Sequence, residues 1–285
     1  MCARRTDRIE GHAQAGRGND SEDSARPPLL PPRMTALRLG LVGSTVGPLV
    51  DSLHNQCLLA YGYLPITFQL DDASPPLFAS SWVVPPLLGL AYIVLGYILP
   101  QMVDFVLPKP ERNGIASAGG DSTTSSSLPV LAVLAVSSTA LTIKLSEFLT
   151  THDVIDIASQ TITLDGQTSL GIMAAMDVVQ WLTLDRSIVS LVVASITSVG
   201  GPLSELPFVA NGFWHYLPQS SDYFPLSGVQ GNFIEQLATT VLGEDFRSIA
   251  LSSITGPCYF AVTLDAIALG RYFYSQERCD EKSNV

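Results

Sequence analysis

Apolar residues along this chain fall into six long runs, each set off from the next by a polar, acidic or proline-containing stretch. The first extends from about Leu37 to Tyr63. Gly40, Gly43, Gly47 and Pro48 loosen it, and Asp51, His54 and Asn55 interrupt it near its middle. Asp51 and His54 are three apart and predict a pair across one helical turn. The second run, about Phe78 to Phe105, opens on Ser80-Ser81-Trp82-Val83-Val84-Pro85-Pro86. Its indole suits a membrane interface, and its prolines are tolerated in a first helical turn. The third covers Leu128 to about Phe148, with Lys144 and Glu147 near its end. The fourth is the rod from Gln167 to Ser187. The fifth, Ile188 to Val209, is bent by Gly200, Gly201, Pro202 and Pro207 and holds Glu205. The sixth spans about Ile249 to Tyr274 and holds Asp265.

Runs of this length match the hydrocarbon thickness of a bilayer. They predict an all-α polytopic membrane protein, a bundle of six transmembrane helices over residues 35–274. Residues 1–34 read as a disordered cytosolic tail and 275–285 as a polar cytosolic tail. Asp71-Asp72 and the prolines after it predict a turn, 108–127 a polar low-complexity loop, and His152 to Asp165 an acidic loop. Within 210–247, Phe233, Ile234, Leu237, Val241 and Leu242 recur at helical spacing and predict a short amphipathic helix on the membrane surface.

Composition strengthens the membrane reading. Only 14% of residues are charged, against about 25% in an ordinary soluble domain. The net charge of -11 matters less than where the charges lie. Six crossings put both termini on one side, and thirteen of the 15 Lys and Arg residues then fall on that side, leaving only Lys144 and Arg247 opposite. The positive-inside rule makes that side cytosolic. No basic patch exists outside the N-terminal tail, so nucleic acid is not an expected partner.

Catalytic chemistry is not legible in the chain. It has no G-x-S-x-G elbow, H-E-x-x-H helix, P-loop or dinucleotide fingerprint, and its four cysteines lack C-x-x-C spacing. Neither enzyme activity nor a cofactor is expected. Acids inside the apolar runs (Asp51, Asp177, Glu205, Asp265) are functional suspects, because a charge in hydrocarbon is costly. One reading is a small ion- or proton-coupled transporter or channel using Asp51, His54, Asp177 and Asp265. Another centres on the fourth run, where Asp177, Trp181 and Asp185 at i, i+4 and i+8 share a helix face. Gln167, 18 residues before Asp185, comes near the same stripe. That line fits a lipid- or partner-binding seam, and equally an interhelical contact ended by an Asp185-Arg186 pair.

Several motifs together resemble one family. They are the Ser80-to-Pro86 segment with Gly89, Gly96 and Pro100 ahead of Asp104; Lys144-Leu145; Trp181 with Thr183-Leu184-Asp185-Arg186-Ser187; Asn211-Gly212 and Tyr216; Pro257-Cys258; and Gly270-Arg271. In this order, over residues 36–274, they resemble the insulin-induced gene (Insig) proteins, six-span regulators of sterol synthesis in the endoplasmic reticulum membrane. The resemblance implies an oxysterol or related membrane lipid as ligand. It also implies partners resembling the SREBP cleavage-activating protein and HMG-CoA reductase, bound through their sterol-sensing spans. It carries the sterol-pocket tryptophan onto Trp181 and the pocket glutamine onto Gln167 with a one-residue insertion, or onto Thr168 without one, and it puts partner binding on Asp185, Arg186 and Ser187. The sequence departs from the family around Ala135, where a pocket aromatic is missing, at Pro202 and Glu205, and in the long loop after Tyr216.

Overall fold

A computed structural model describes residues 33–70, 76–107, 128–157 and 160–283. The predicted tail as far as residue 32, the Asp71-Asp72 turn and the loop 108–127 lie outside these. Each apolar run forms a helix. These are α1 (Arg33–Leu58), α2 (Val84–Ile93) continued through a π-turn (Val94–Ile98) into α3 (Leu99–Val106), α4 (Leu128–Thr151), α5 (Gly166–Leu184), α6 (Ile188–Ala210) and α8 (Thr255–Ser283). The amphipathic segment is α7 (Asn232–Leu242), with Phe233, Ile234, Leu237 and Val241 exposed. By length and composition, three of the helices are able to cross a membrane: Val84–Val106, Leu128–Thr151 and Ile188–Ala210.

Local chemistry sets several ends. The Asp165 carboxylate accepts from Thr168 N at 2.7 Å and starts α5, and this bond holds its pKa below the usual carboxylate value. Ser187 starts α6 by accepting from Ser190 N at 3.1 Å. Arg186 ends α5 in the left-handed region at φ 58°, where its N–H and that of Asp185 both reach the Trp181 carbonyl.

The all-α expectation needs one correction. Among the described residues six short strands form three antiparallel pairs: β1 (Leu59–Tyr61) with β6 (Trp214–Tyr216), β2 (Pro65–Phe68) with β3 (Phe78–Ser81), and β4 (Val154–Ile157) with β5 (Gln160–Thr163). Thus Leu59–Tyr61, read as the end of the first run, and Phe78–Ser81, read as the start of the second, are strands. Where a chain leaves a helix its backbone polar groups still need partners, and pairing at the ends supplies them. Val50 and Leu53 of α1 pack with Leu149 of α4 and Ile254 beside α8, which brings the paired strands to one side of the bundle.

α8 is the axis of the bundle. It touches α1, α4, α5, α6 and the π-turn, and Ala261, Leu264, Ala266 and Ile267 on it are buried. Large apolar side chains face outward instead, among them Leu41, Leu90, Val133, Leu141, Val179 and Val199. That inverted distribution suits acyl chains as the surrounding medium.

Within the second predicted tail, α8 continues as helix to Ser283. The continuation has a use. Glu277 accepts from Thr35 N at 2.9 Å and Thr35 Oγ1 at 2.8 Å, satisfying donors that the first turn of α1 leaves open. Thr35→Ala and Glu277→Ala are each expected to cost about 1 kcal/mol. Faster amide exchange confined to the start of α1 is the measurement that checks this.

Candidate functional site

Two acids from different helices meet at a cavity beneath the β1–β6 pair. Asp51 and Asn55, four apart on α1, share a face. Asn55 Nδ2 donates to Asp51 Oδ2 at 2.5 Å and to the Tyr61 hydroxyl at 2.5 Å, and that hydroxyl donates to Asp51 Oδ2 at 3.1 Å. Among the described residues Asp51 bonds Asn55 and Tyr61; the predicted Asp51–His54 pair lies outside them, because it involves the side chain of His54.

Glu205 on α6 holds the second cluster. Trp214 and Tyr216 alternate on β6 and so point the same way. Trp214 Nε1 donates to Glu205 Oε2 at 3.2 Å and the Tyr216 hydroxyl donates to it at 2.7 Å. Tyr259 adds a further hydroxyl, and Thr255 Oγ1 lies 3.2 Å from Tyr216. Strand register ties the clusters together, since Tyr61 pairs directly with Trp214 and their rings meet edge-on at 6.4 Å. Burial, and after it the Asp51 carboxylate, holds the Tyr61 hydroxyl well above the ordinary phenol value. Burial and then Glu205 do the same for Tyr216. Both tyrosines therefore stay O–H donors at neutral pH.

The cavity has a volume of about 120 Å³. Its remaining wall is apolar and includes Val84, Leu87 and Leu88 of α2, Ile143 of α4 and Val262 of α8. A dry cavity of about 150 Å³ holds a benzene-sized body, so this one suits the head of a lipid better than a whole four-ring body.

Gln167 and Trp181 are not part of its lining. The buried face of α5 is Ser169, Met173, Asp177, Gln180 and Leu184. Gln167 is exposed in the first turn, off that face. Trp181 is half-buried on its shoulder, packed against the cluster of Ala135, Leu184, Ala194, Phe260 and Leu264, and its Nε1 donates to the Ser187 carbonyl at 3.0 Å. Ala135, where the resemblance lacks an aromatic, is fully buried within this cluster. Gln180 is the residue on α5 that spacing missed. Its Nε2 donates to Thr139 Oγ1 at 2.9 Å, tying α5 to α4.

Asp185, Arg186 and Ser187 do come together at the α5–α6 turn, but not as an Asp185-Arg186 pair. Asp185 forms an ion pair with Arg271 of α8 and accepts from Ser187 Oγ at 2.6 Å. Arg186 instead donates to the Leu182 carbonyl at 2.5 Å and is exposed. The Asp185 side chain is only 9% exposed while that of Arg271 is 46% exposed. In a cycle of Asp185→Asn and Arg271→Gln, a coupling of about 1 kcal/mol is expected, read from thermal unfolding of the detergent-purified chain.

With this geometry in hand, comparison with solved structures is informative. A mycobacterial Insig homologue, MvINS from Mycobacterium vanbaalenii, superposes at a TM-score of 0.50 with 18% identity, covering 83% of this chain and 92% of that one. A cross-linked trimer of MvINS gives 0.52 and 19%, covering 86% and 95%. The fold is Insig-like. No family model and no curated protein matches the sequence, so the Insig likeness rests on architecture, over nearly the full length of those structures. The Insig-like bundle also fits a multi-pass membrane protein, in keeping with its three apolar helices.

Proposed function

We propose that this Insig-like chain is a non-enzymatic membrane regulator that binds an amphipathic lipid, an oxysterol or a related hydroxylated lipid, and passes its occupancy to a partner membrane protein. The observation that carries the reading is the cavity itself, with two hydrogen-bonded acid clusters at one end and a hydrocarbon wall at the other, inside a bundle whose outer face is apolar. In this reading all six long helices cross the membrane of the endoplasmic reticulum with both termini cytosolic. α1, α5 and α8 are less apolar than the other three, and on α5 and α8 the acids Asp177 and Asp265 are buried within the bundle.

Gln167 and Trp181 then contribute a lipid-facing strip on α5. The turn of Asp185, Arg186 and Ser187 offers a partner surface in which exposed Arg186 makes contact and the Asp185–Arg271 pair sets the turn's shape. Partners of this kind resemble the SREBP cleavage-activating protein or HMG-CoA reductase. A lipid that stabilises one arrangement of helices around the cavity shifts the population toward the partner-competent form.

The test is lipid capture from membranes followed by mass spectrometry. Val262→Trp, which fills the cavity, is expected to remove a lipid that the parent retains through purification, while Trp181→Ala keeps it. Loss in Trp181→Ala with retention in Val262→Trp would move the site to the α5 face. Equal recovery from parent and both variants would overturn the reading.

A further inference from the structure

Resting on the lipid reading above, we infer that the polar end of the cavity is a cation subsite, built for the primary ammonium of an amine-bearing lipid that lacks a phosphate. The lining carries two acids, Asp51 and Glu205, from two different helices, and among its described residues no Lys, Arg or His. An anionic head, such as a phosphate or a fatty-acid carboxylate, would meet two acids and no base there. An ammonium forms charge-assisted hydrogen bonds to either acid, and such bonds are about twice as strong as neutral ones.

A second observation points the same way. Asn55 is only 2% exposed and lines the cavity. Its Nδ2 is engaged by Asp51 and Tyr61, while its Oδ1 has no hydrogen-bond partner. A buried acceptor left unmade costs about 1–3 kcal/mol, so a residue lining the cavity lacks one donor. A primary ammonium supplies three N–H donors and the charge in one group. A hydroxyl supplies one donor and no charge, and a quaternary ammonium supplies the charge without a donor. Aromatic rings of Tyr61, Trp214, Tyr216 and Tyr259 line the same end, and rings are favourable neighbours for a cation. The apolar wall of Val84, Leu87 and Leu88 gives the chain of a lipid a surface that a free amine cannot use.

The experiment uses the full chain in nanodiscs and a series of sphinganine derivatives sharing one hydrocarbon chain. Free sphinganine has charge and N–H donors, N-acetylsphinganine has an N–H without charge, and N,N,N-trimethylsphinganine has charge without N–H. Diacylglycerol and ethanolamine complete the set. Sphinganine is expected to bind about tenfold tighter than the acetylated form or diacylglycerol, and tighter than the trimethyl form. Val262→Trp should abolish the binding, and Glu205→Gln and Asp51→Asn should bring the amine and its acetylated form toward parity. The ligand series in the parent decides the question even where a variant fails to fold. Parity of sphinganine with acetylated sphinganine or diacylglycerol in the parent overturns the cation subsite and leaves the lipid reading standing. Ethanolamine saturating at the same concentration as sphinganine overturns the lipid as the amine's source. Failure of every long-chain ligand overturns the cation subsite, while the lipid reading is decided separately by the lipid capture described above.

Discussion

Glu205→Ala is expected to destabilise the protein by about 2–4 kcal/mol, because it removes the shared acceptor of a buried hydrogen-bond network and leaves its donors behind, each unmet group costing about 1–3 kcal/mol. The indole N–H of Trp214 and the hydroxyl of Tyr216 both donate to one oxygen of Glu205, Tyr259 donates to the same side chain, and Trp214 and Tyr216 are themselves buried. An alanine offers them nothing and leaves a space too apolar to hydrate them well. Glu205→Gln keeps one acceptor oxygen in the same place and is expected to cost far less, about 1 kcal/mol. Thermal unfolding of the two variants in one detergent separates these outcomes, and Trp214 fluorescence reports whether β6 has left α6. An alanine variant as stable as the glutamine variant would show that the network contributes no stability. Lipid capture is expected to fall with the alanine variant even where the fold survives, since β6 then no longer closes the cavity.

Helices were legible in this chain because each depends on a local property, the length and continuity of an apolar run. Leu128 to Thr151 and Ile188 to Ala210 needed nothing else. Boundaries were less legible where tertiary pairing overrides the run. Leu59–Tyr61 is as apolar as the helix before it, but its backbone finds Trp214–Tyr216, some 150 residues away, and leaves the helix. At the other end, Gln276 to Ser283 looked too polar for a bundle helix, yet α8 continues because Glu277 has the first turn of α1 to cap.

The site was legible by parts. Asp51 and Glu205 stood out as acids in apolar runs, but nothing in spacing brings them to one cavity, because that depends on how β1 pairs with β6. Trp214 and Tyr259 carried no local signal at all, while Tyr216 entered only through the Insig resemblance. On α5, i, i+4 arithmetic put Asp177 and Trp181 on one face, whereas the packed face runs through Asp177 and Gln180 and leaves Trp181 at its edge. Arg271 was visible within the Gly270-Arg271 motif near the end of the last apolar run, and its partner was not.

Gly96→Val is expected to be the other change with a large effect, because it strikes the place where two helices touch backbone to backbone. A side chain built on Gly96 runs into the carbonyl of Ala266 on α8, and one built on Gly270 runs into the carbonyl of Gly96 in return. Gly96 lies in the π-turn Val94–Ile98, and such turns displace a helix locally and often lie at functional sites. In lipid, where burial of apolar surface drives helices together only weakly, close approach at small residues supplies much of the association. An alanine at Gly96 or Gly270 is expected to cost about 1–3 kcal/mol, as overpacking does, and valine at Gly96 more. Gly171 is the control, since it is exposed on α5 and a side chain built there meets nothing within 4 Å. Gly171→Ala is expected to gain up to about 1 kcal/mol from helix propensity. Thermal unfolding of the three alanine variants tests the contrast, and Gly96→Ala as stable as Gly171→Ala would refute it. Function is expected to follow stability here. α2 brings Val84, Leu87 and Leu88 to the cavity and α8 brings Tyr259 and Val262, so forcing these helices apart at Gly96 widens the apolar wall and lowers lipid capture before the bundle itself unfolds.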